Sequence, residues 1–112
     1  MSTPPSFINW AAVPPRDLAP GVTLRIVSSE TIMLSLVELL PEAKVPLHQH
    51  PHEQMGIWLE GEGRFTVGEE ERIVGPGDSY AIPGNVPHAV IAGPRGGKAL
   101  DIFHPPREDY LR

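Results

Sequence analysis

The sequence predicts an all-β sandwich or barrel, and three observations carry that expectation. Fourteen prolines and eleven glycines are spread along 112 residues rather than gathered into one tract. Between them lie short runs rich in Val, Ile, Leu, Phe and Thr, and no stretch carries a convincing helical period. Gly and Pro at that spacing break helices and bound strands, and many short, evenly spaced strands close into a sandwich or barrel.

Taken in order, residues 1–20 are Pro-rich and read as an extended arm along the outside, pinned by the apolar anchors Phe7, Ile8 and Trp10. Strands are predicted over 23–27, 31–39, 45–50, 55–60, 63–67, 72–74, 79–82, 88–91 and 98–104. The run from Thr31 to Leu40 is the one place where a helix competes. Its Thr, Ile and Val residues favour the pleat, because branching at Cβ restricts the side chain more in a helix than in a strand. With no internal repeat and no linker, residues 1–112 read as one domain around one core.

Composition narrows the function classes. A net charge of -5, a pI near 5.4 and the lack of any Lys/Arg run argue against a nucleic-acid partner. There is no cysteine, so no disulfide, no thiolate nucleophile and no sulfur ligand is available. Any metal site must use His, carboxylate or amide groups. The N-terminal stretch lacks a basic leader and a continuous apolar run, and no segment approaches the length of a membrane span. The expectation is a soluble, cytoplasmic protein with no membrane partner.

Chemistry concentrates in the segment from Pro46 to Gln54, which contains His48, His50, His52 and Glu53. Residues two apart on a strand share a face, so the imidazoles of His48 and His50 can reach one ion with metal–nitrogen bonds of about 2.0 to 2.1 Å. Alone, a His-x-His pair is more often explained by packing or solvation. Gln54 follows a short turn containing Pro51, and His88 lies on a separate predicted strand. Four ligand-capable side chains on three strands can converge in a barrel. His52 reads as part of the turn, and Glu53 as solvated.

These residues resemble the two motifs of the cupin superfamily, whose fold is a small double-stranded β-helix, or jelly-roll barrel. The first motif (Gly, five residues, His-x-His, three or four residues, Glu, six residues, Gly) is matched over 46–61 at His48, His50, Gln54 and Gly61. The second (Gly, five residues, Pro-x-Gly, two residues, His, three residues, Asn) is matched over 77–92 at Gly77, Pro83 and His88. Glu42 and Asn85 stand where the motifs have glycine, and Ala92 replaces the final Asn. Asn tolerates the left-handed backbone that Gly supplies. The resemblance implies one divalent transition metal, zinc, nickel, manganese or iron(II), held by His48, His50, Gln54 and His88. Gln54 in place of the motif glutamate leaves the full dipositive charge to polarise a substrate oxygen or water.

The tail carries a second constellation. Alternation puts Leu100, Ile102 and His104 on one face of a strand and Asp101 with Phe103 on the other, and a carboxylate beside an aromatic ring suits a ligand cavity. Arg107, after Pro105 and Pro106, is placed to turn back and offer its bidentate fork to a carboxylate. In length, in both motifs and in this tail, the chain resembles the KdgF-type pectin-degradation cupins. That resemblance implies conversion of a 4,5-unsaturated monouronate, a small anionic sugar acid, into its open-chain keto form. It implies that Asp101, Phe103 and Arg107 serve the reaction, and the mechanism expected of them has Asp101 move the proton, Phe103 pack the ring face and Arg107 hold the carboxylate. A metal-dependent cupin dioxygenase and a non-catalytic sugar-acid sensor are the alternatives. A homodimer is expected from Phe7, Ile8 and Trp10, since small cupins commonly pair strands and arms about a two-fold axis.

Overall fold

The structure is a computed structural model that describes residues 3–112. Its strands are β1 (Arg16–Ala19), β2 (Val22–Ser28), β3 (Met33–Leu39), β4 (Lys44–His48), β5 (Glu53–Val67), β6 (Glu70–Val74), β7 (Ser79–Ile82) and β8 (His88–His104). Two 3-10 turns, Trp10–Ala12 and Glu108–Leu111, flank them. Every pairing is antiparallel, in the order β1-β2-β3-β8-β5-β6, with β4 on β8 and β7 on β5.

The sequence predicts two strands where β5 runs and two where β8 runs, and the structure joins each pair into one long strand. The register between β5 and β8 shifts between Trp58/Glu60 and between Gly61/Gly63, so both strands bend without ending. Gly61 and Gly96 adopt φ of 70° and 76°, and a Cβ at Gly61 would collide with the Gly96 carbonyl, so this close backbone approach requires glycine. One half of the long pair carries β3 and β7, the other β4 and β6. The halves share one core, in which Phe65 of the second half meets Tyr80 of the first with ring centroids 4.4 Å apart. The all-β roll predicted from the sequence is the observed architecture.

Period-2 alternation builds that core. Met33, Ser35, Val37 and Leu39 of β3 are buried, as are Val22 and Leu24 of β2 and Ala99 and Phe103 of β8. Trp58 is 1% exposed and donates its indole N–H to the Gly61 carbonyl at 3.0 Å, tying the core to the bend.

Residues 1–20 are not simply an extended arm. They contain a 3-10 turn capped by Asn9, and β1, which pairs with β2. Ile8 and Trp10 are partly buried, but Phe7 is 93% exposed and pins nothing within the chain. Nothing local in the sequence distinguishes an aromatic ring that packs from one the chain holds out in solvent.

Both motif glycine replacements lie in the left-handed region, with φ of 64° at Glu42 and at Asn85. Asn accepts that backbone more easily than Glu. Glu42→Gly should therefore stabilise the protein by about 0.5 to 1 kcal/mol, the relief of strain exceeding the extra freedom of the unfolded chain. The exposed side chain makes no described hydrogen bond, and the Glu42 N–H bond to the Gly93 carbonyl is unaffected. Urea unfolding should show a higher midpoint at unchanged slope, whereas a lower midpoint would contradict the strain.

Candidate metal centre

His48 closes β4 and His88 opens β8, directly opposite it in register. His50 lies in the loop beyond β4 rather than on a strand, as the sequence had it, and Gln54 is the second residue of β5. The three imidazoles converge all the same, with centroid separations of 4.2 Å (His48 to His88), 5.0 Å (His50 to His88) and 5.7 Å (His48 to His50). One nitrogen from each lies within 4.8 Å of the others, a group able to hold a metal ion.

The orientation of the rings follows from their hydrogen bonds. Nδ1 of His48, His50 and His88 lies 2.8, 3.1 and 2.9 Å from the carbonyls of Pro46, His52 and Val86. A carbonyl only accepts, so each Nδ1 is the donor and each Nε2 keeps its lone pair. Backbone carbonyls fixing the tautomer of ligating histidines is the usual outer-shell arrangement at metal sites. His88 is 3% exposed, and its Nε2 is buried with no hydrogen-bond partner among the described residues. A buried, unpaired lone pair is costly, and a bound cation would satisfy it. Burial, then Arg107 and the neighbouring histidines, pushes His50 down to about 4. Burial likewise lowers His88, against the Val86 hydrogen bond. Both are neutral at physiological pH, the form a metal needs. Gln54 is 5% exposed, and its Oε1 lies 3.2 Å from His50 Nε2. The donor set therefore fits a divalent transition metal.

Beneath the histidines a polar row crosses the sheet. Ile26, Ser35, Asp101, Gly56 and Tyr80 are register partners on β2, β3, β8, β5 and β7. Tyr80 donates its O–H to Asp101 Oδ1 at 2.6 Å. Burial pushes Asp101 up to about 6, against hydrogen bonds from Tyr80 and Gln54 and the charge of Arg107. Burial, then Asp101, raises Tyr80, which stays protonated. Ser35 is 1% exposed, and its Oγ has no partner among the described residues. His48, Gln54, His88, Asp101, Tyr80 and Ser35 all line one cavity of about 50 Å³. That is room for a few waters. A larger open groove of about 920 Å³ lies at the bend of β5 and β8, and its two cations are engaged in the pairs Arg95–Glu62 and Lys98–Glu60.

Asp101 and Phe103 face the interior together, as alternation required, and Phe103 lies 5.6 Å from the His50 ring. Arg107 does turn back, stacking over Tyr110 at 3.9 Å and Phe103 at 5.4 Å. Its Nε/Nη2 edge, however, is held by Asp109 at 3.4 and 2.9 Å, and Nη1 donates to Tyr110 Oη at 2.8 Å. The fork expected to be open is thus partly engaged inside its own 3-10 turn, and one N–H on each Nη stays uncommitted. Glu53 is exposed. His52 does more than fill the turn, because its carbonyl orients His50. Sequence reasoning missed Tyr80, Ser35 and Gly56. Only Ser35 left a signal, a hydroxyl in the apolar alternation of β3.

The family profile of the cupin domain matches residues 35–103. Two curated dimethylsulfoniopropionate lyases of Ruegeria pomeroyi are similar: DddQ, 35% identical over 77 residues, and DddW, 26% identical over 91 residues. The matches cover 68% and 81% of this chain but 38% and 51% of those proteins, so the chain spans about half of their length at most. An RmlC-like cupin from Shewanella frigidimarina superposes with a TM-score of 0.91 at 26% identity, over 98% of this chain and 99% of that one. KdgF from Halomonas sp. gives 0.85 at 26% identity over 99% of each. Oxalate decarboxylase of Bacillus subtilis gives 0.78 at 25% identity, over 88% of this chain and 29% of that one. Among the described residues no helix is long and apolar enough to cross a membrane. Matched by the family profile over most of its strands, and superposable along nearly its whole length on a solved member, the chain belongs to the cupin domain family.

Proposed function

We propose that this cupin opens the ring of a 4,5-unsaturated monouronate, with His48, His50, Gln54 and His88 holding a divalent metal and Asp101 moving the proton. The observation that carries the reading is the half-buried Asp101 carboxylate, fixed by Tyr80 in the same cavity as His48 and His88. Full-length similarity to KdgF from Halomonas sp. supports it. A bound ion supplies Lewis-acid polarisation of a substrate oxygen. Asp101 takes the proton of the anomeric hydroxyl and delivers one to the enol-ether carbon C4. The C1–O5 bond breaks, C1 becomes an aldehyde carbonyl and C5 a ketone, so atoms and electrons balance without a further reactant. Phe103 packs the ring face and limits water, and the two uncommitted N–H groups of Arg107 face the substrate carboxylate.

The enclosed space of about 50 Å³ is well below the ~300 Å³ of an ordinary ligand pocket. A uronate would sit in the mouth with its reacting edge turned towards Asp101. Incubating metal-assayed protein with an unsaturated uronate should consume the double-bond absorbance, and an unchanged absorbance would refute the reading. Similarity to DddQ makes dimethylsulfoniopropionate the second substrate to test, by release of dimethyl sulfide, since it has no double bond to lose.

A homodimer in the cytoplasm completes the proposal. Phe7 at 93% exposure, with Met55 and Ile102 exposed opposite each other on β5 and β8, leaves apolar surface for a second copy to cover. Light scattering should give twice the 12.2 kDa chain mass, and a monomer mass would contradict it.

A further inference from the structure

Two acceptors face each other in the metal centre. His50 spends its ring proton on the His52 carbonyl, so the Nε2 that lies 3.2 Å from Gln54 Oε1 has none to give. An amide can be turned about by exchanging its oxygen and nitrogen, so something must hold Gln54 with its oxygen on this side. The neighbouring strand supplies it. Gln54 pairs with Phe103 and Gly56 with Asp101, which makes Gln54 and Asp101 diagonal neighbours on the interior face, within reach of a long side chain. Gln54 and Asp101 line the same cavity, in which Asp101 is the only carboxylate among the described lining residues; an ionised carboxylate only accepts, so an amide whose oxygen lies on the histidine side has its N–H free to meet it.

Asp101 is itself held from the other side. Tyr80 reaches Oδ1 across Gly56, the register partner of both, and a Cβ at Gly56 would collide with the carboxylate and the phenol ring together. The row works only with no side chain at that position. A glutamate at position 54 would set two carboxylates against each other in a buried place, which is costly.

We infer that Asp101 dictates the amide at position 54: anchored by Tyr80 through the gap at Gly56, it takes the Gln54 N–H and turns Oε1 towards His48, His50 and His88. Tyr80 is then a positioning residue for the metal shell, acting through Asp101 and Gln54 without touching the ion. The amide–carboxylate pair stands on the protein's own geometry, and only its consequence for affinity rests on the metal reading.

Two double-mutant cycles test this. In metal-free protein at neutral pH, Gln54→Glu should lower the melting temperature by several degrees, and adding Asp101→Asn should restore most of it, because the exchanged pair again matches a donor with a carboxylate. Additive losses in the double variant would overturn the pairing. In zinc titrations by calorimetry, Tyr80→Phe should weaken affinity by roughly tenfold, the lower end for a lost outer-shell partner. In a Gln54→Ala background the same substitution should change nothing. Equal weakening in both backgrounds, or none in either, would overturn the positioning role. If wild-type protein takes up no zinc, the metal reading fails, and the first cycle alone decides the pairing.

Discussion

Asp101→Asn is expected to lower turnover of an unsaturated uronate by about two to four orders of magnitude, the usual cost of losing a general acid/base group. The substitution keeps volume and planarity, and the Asn oxygen can still accept from Tyr80, but its amide N–H then meets that of Gln54, so turnover is compared at matched metal content. What disappears is the ability to take a proton and return it. The raised value near 6 places Asp101 where a carboxyl group can do both close to neutral pH. Arg107→Lys should behave differently. Lysine keeps the charge but loses the planar fork and the stack on Tyr110, so KM should rise more than kcat falls. Steady-state kinetics on both variants checks the contrast. An Asp101→Asn enzyme with nearly wild-type kcat would remove Asp101 from the chemistry.

His88→Ala is expected to abolish the stabilisation that zinc confers. A ligand that binds only the folded state adds about 2.7 kcal/mol at a hundred times its Kd, and this contribution vanishes with the site. The variant separates binding from folding because the His88 Nε2 has no hydrogen-bond partner among the described residues. Truncation leaves a cavity but also removes a buried lone pair without a partner, and the two effects oppose each other. Thermal unfolding with and without zinc should show a rise in melting temperature for wild type and none for the variant. An equal rise in both would place the ion elsewhere.

The cluster of His48, His50, Gln54 and His88 was legible in the sequence because three of the four side chains fall within seven residues, His48 to Gln54, and only His88 comes from afar. The strands were legible as well, except β1, which was read as part of an extended arm, and where Gly61, Gly63, Gly93 and Gly96 read as breaks. Gly marks a strand end and a bend inside a continuous strand alike, and only the pairing of β5 with β8 separates the two. The Tyr80–Asp101 contact was illegible for a related reason. Tyr80, Gly56 and Asp101 meet through the register of three strands, which no local spacing encodes. Arg107 was placed correctly after its prolines, but its engagement by Asp109 depends on the 3-10 turn that follows, too short to leave a periodic signal.

Elemental analysis of the purified protein tests the central claim most directly. About one divalent ion per chain, lost from His48→Ala and from His88→Ala, is the result that four convergent ligands predict. Protein that carries no ion and takes none up, or variants that retain it as well as wild type, would contradict the site.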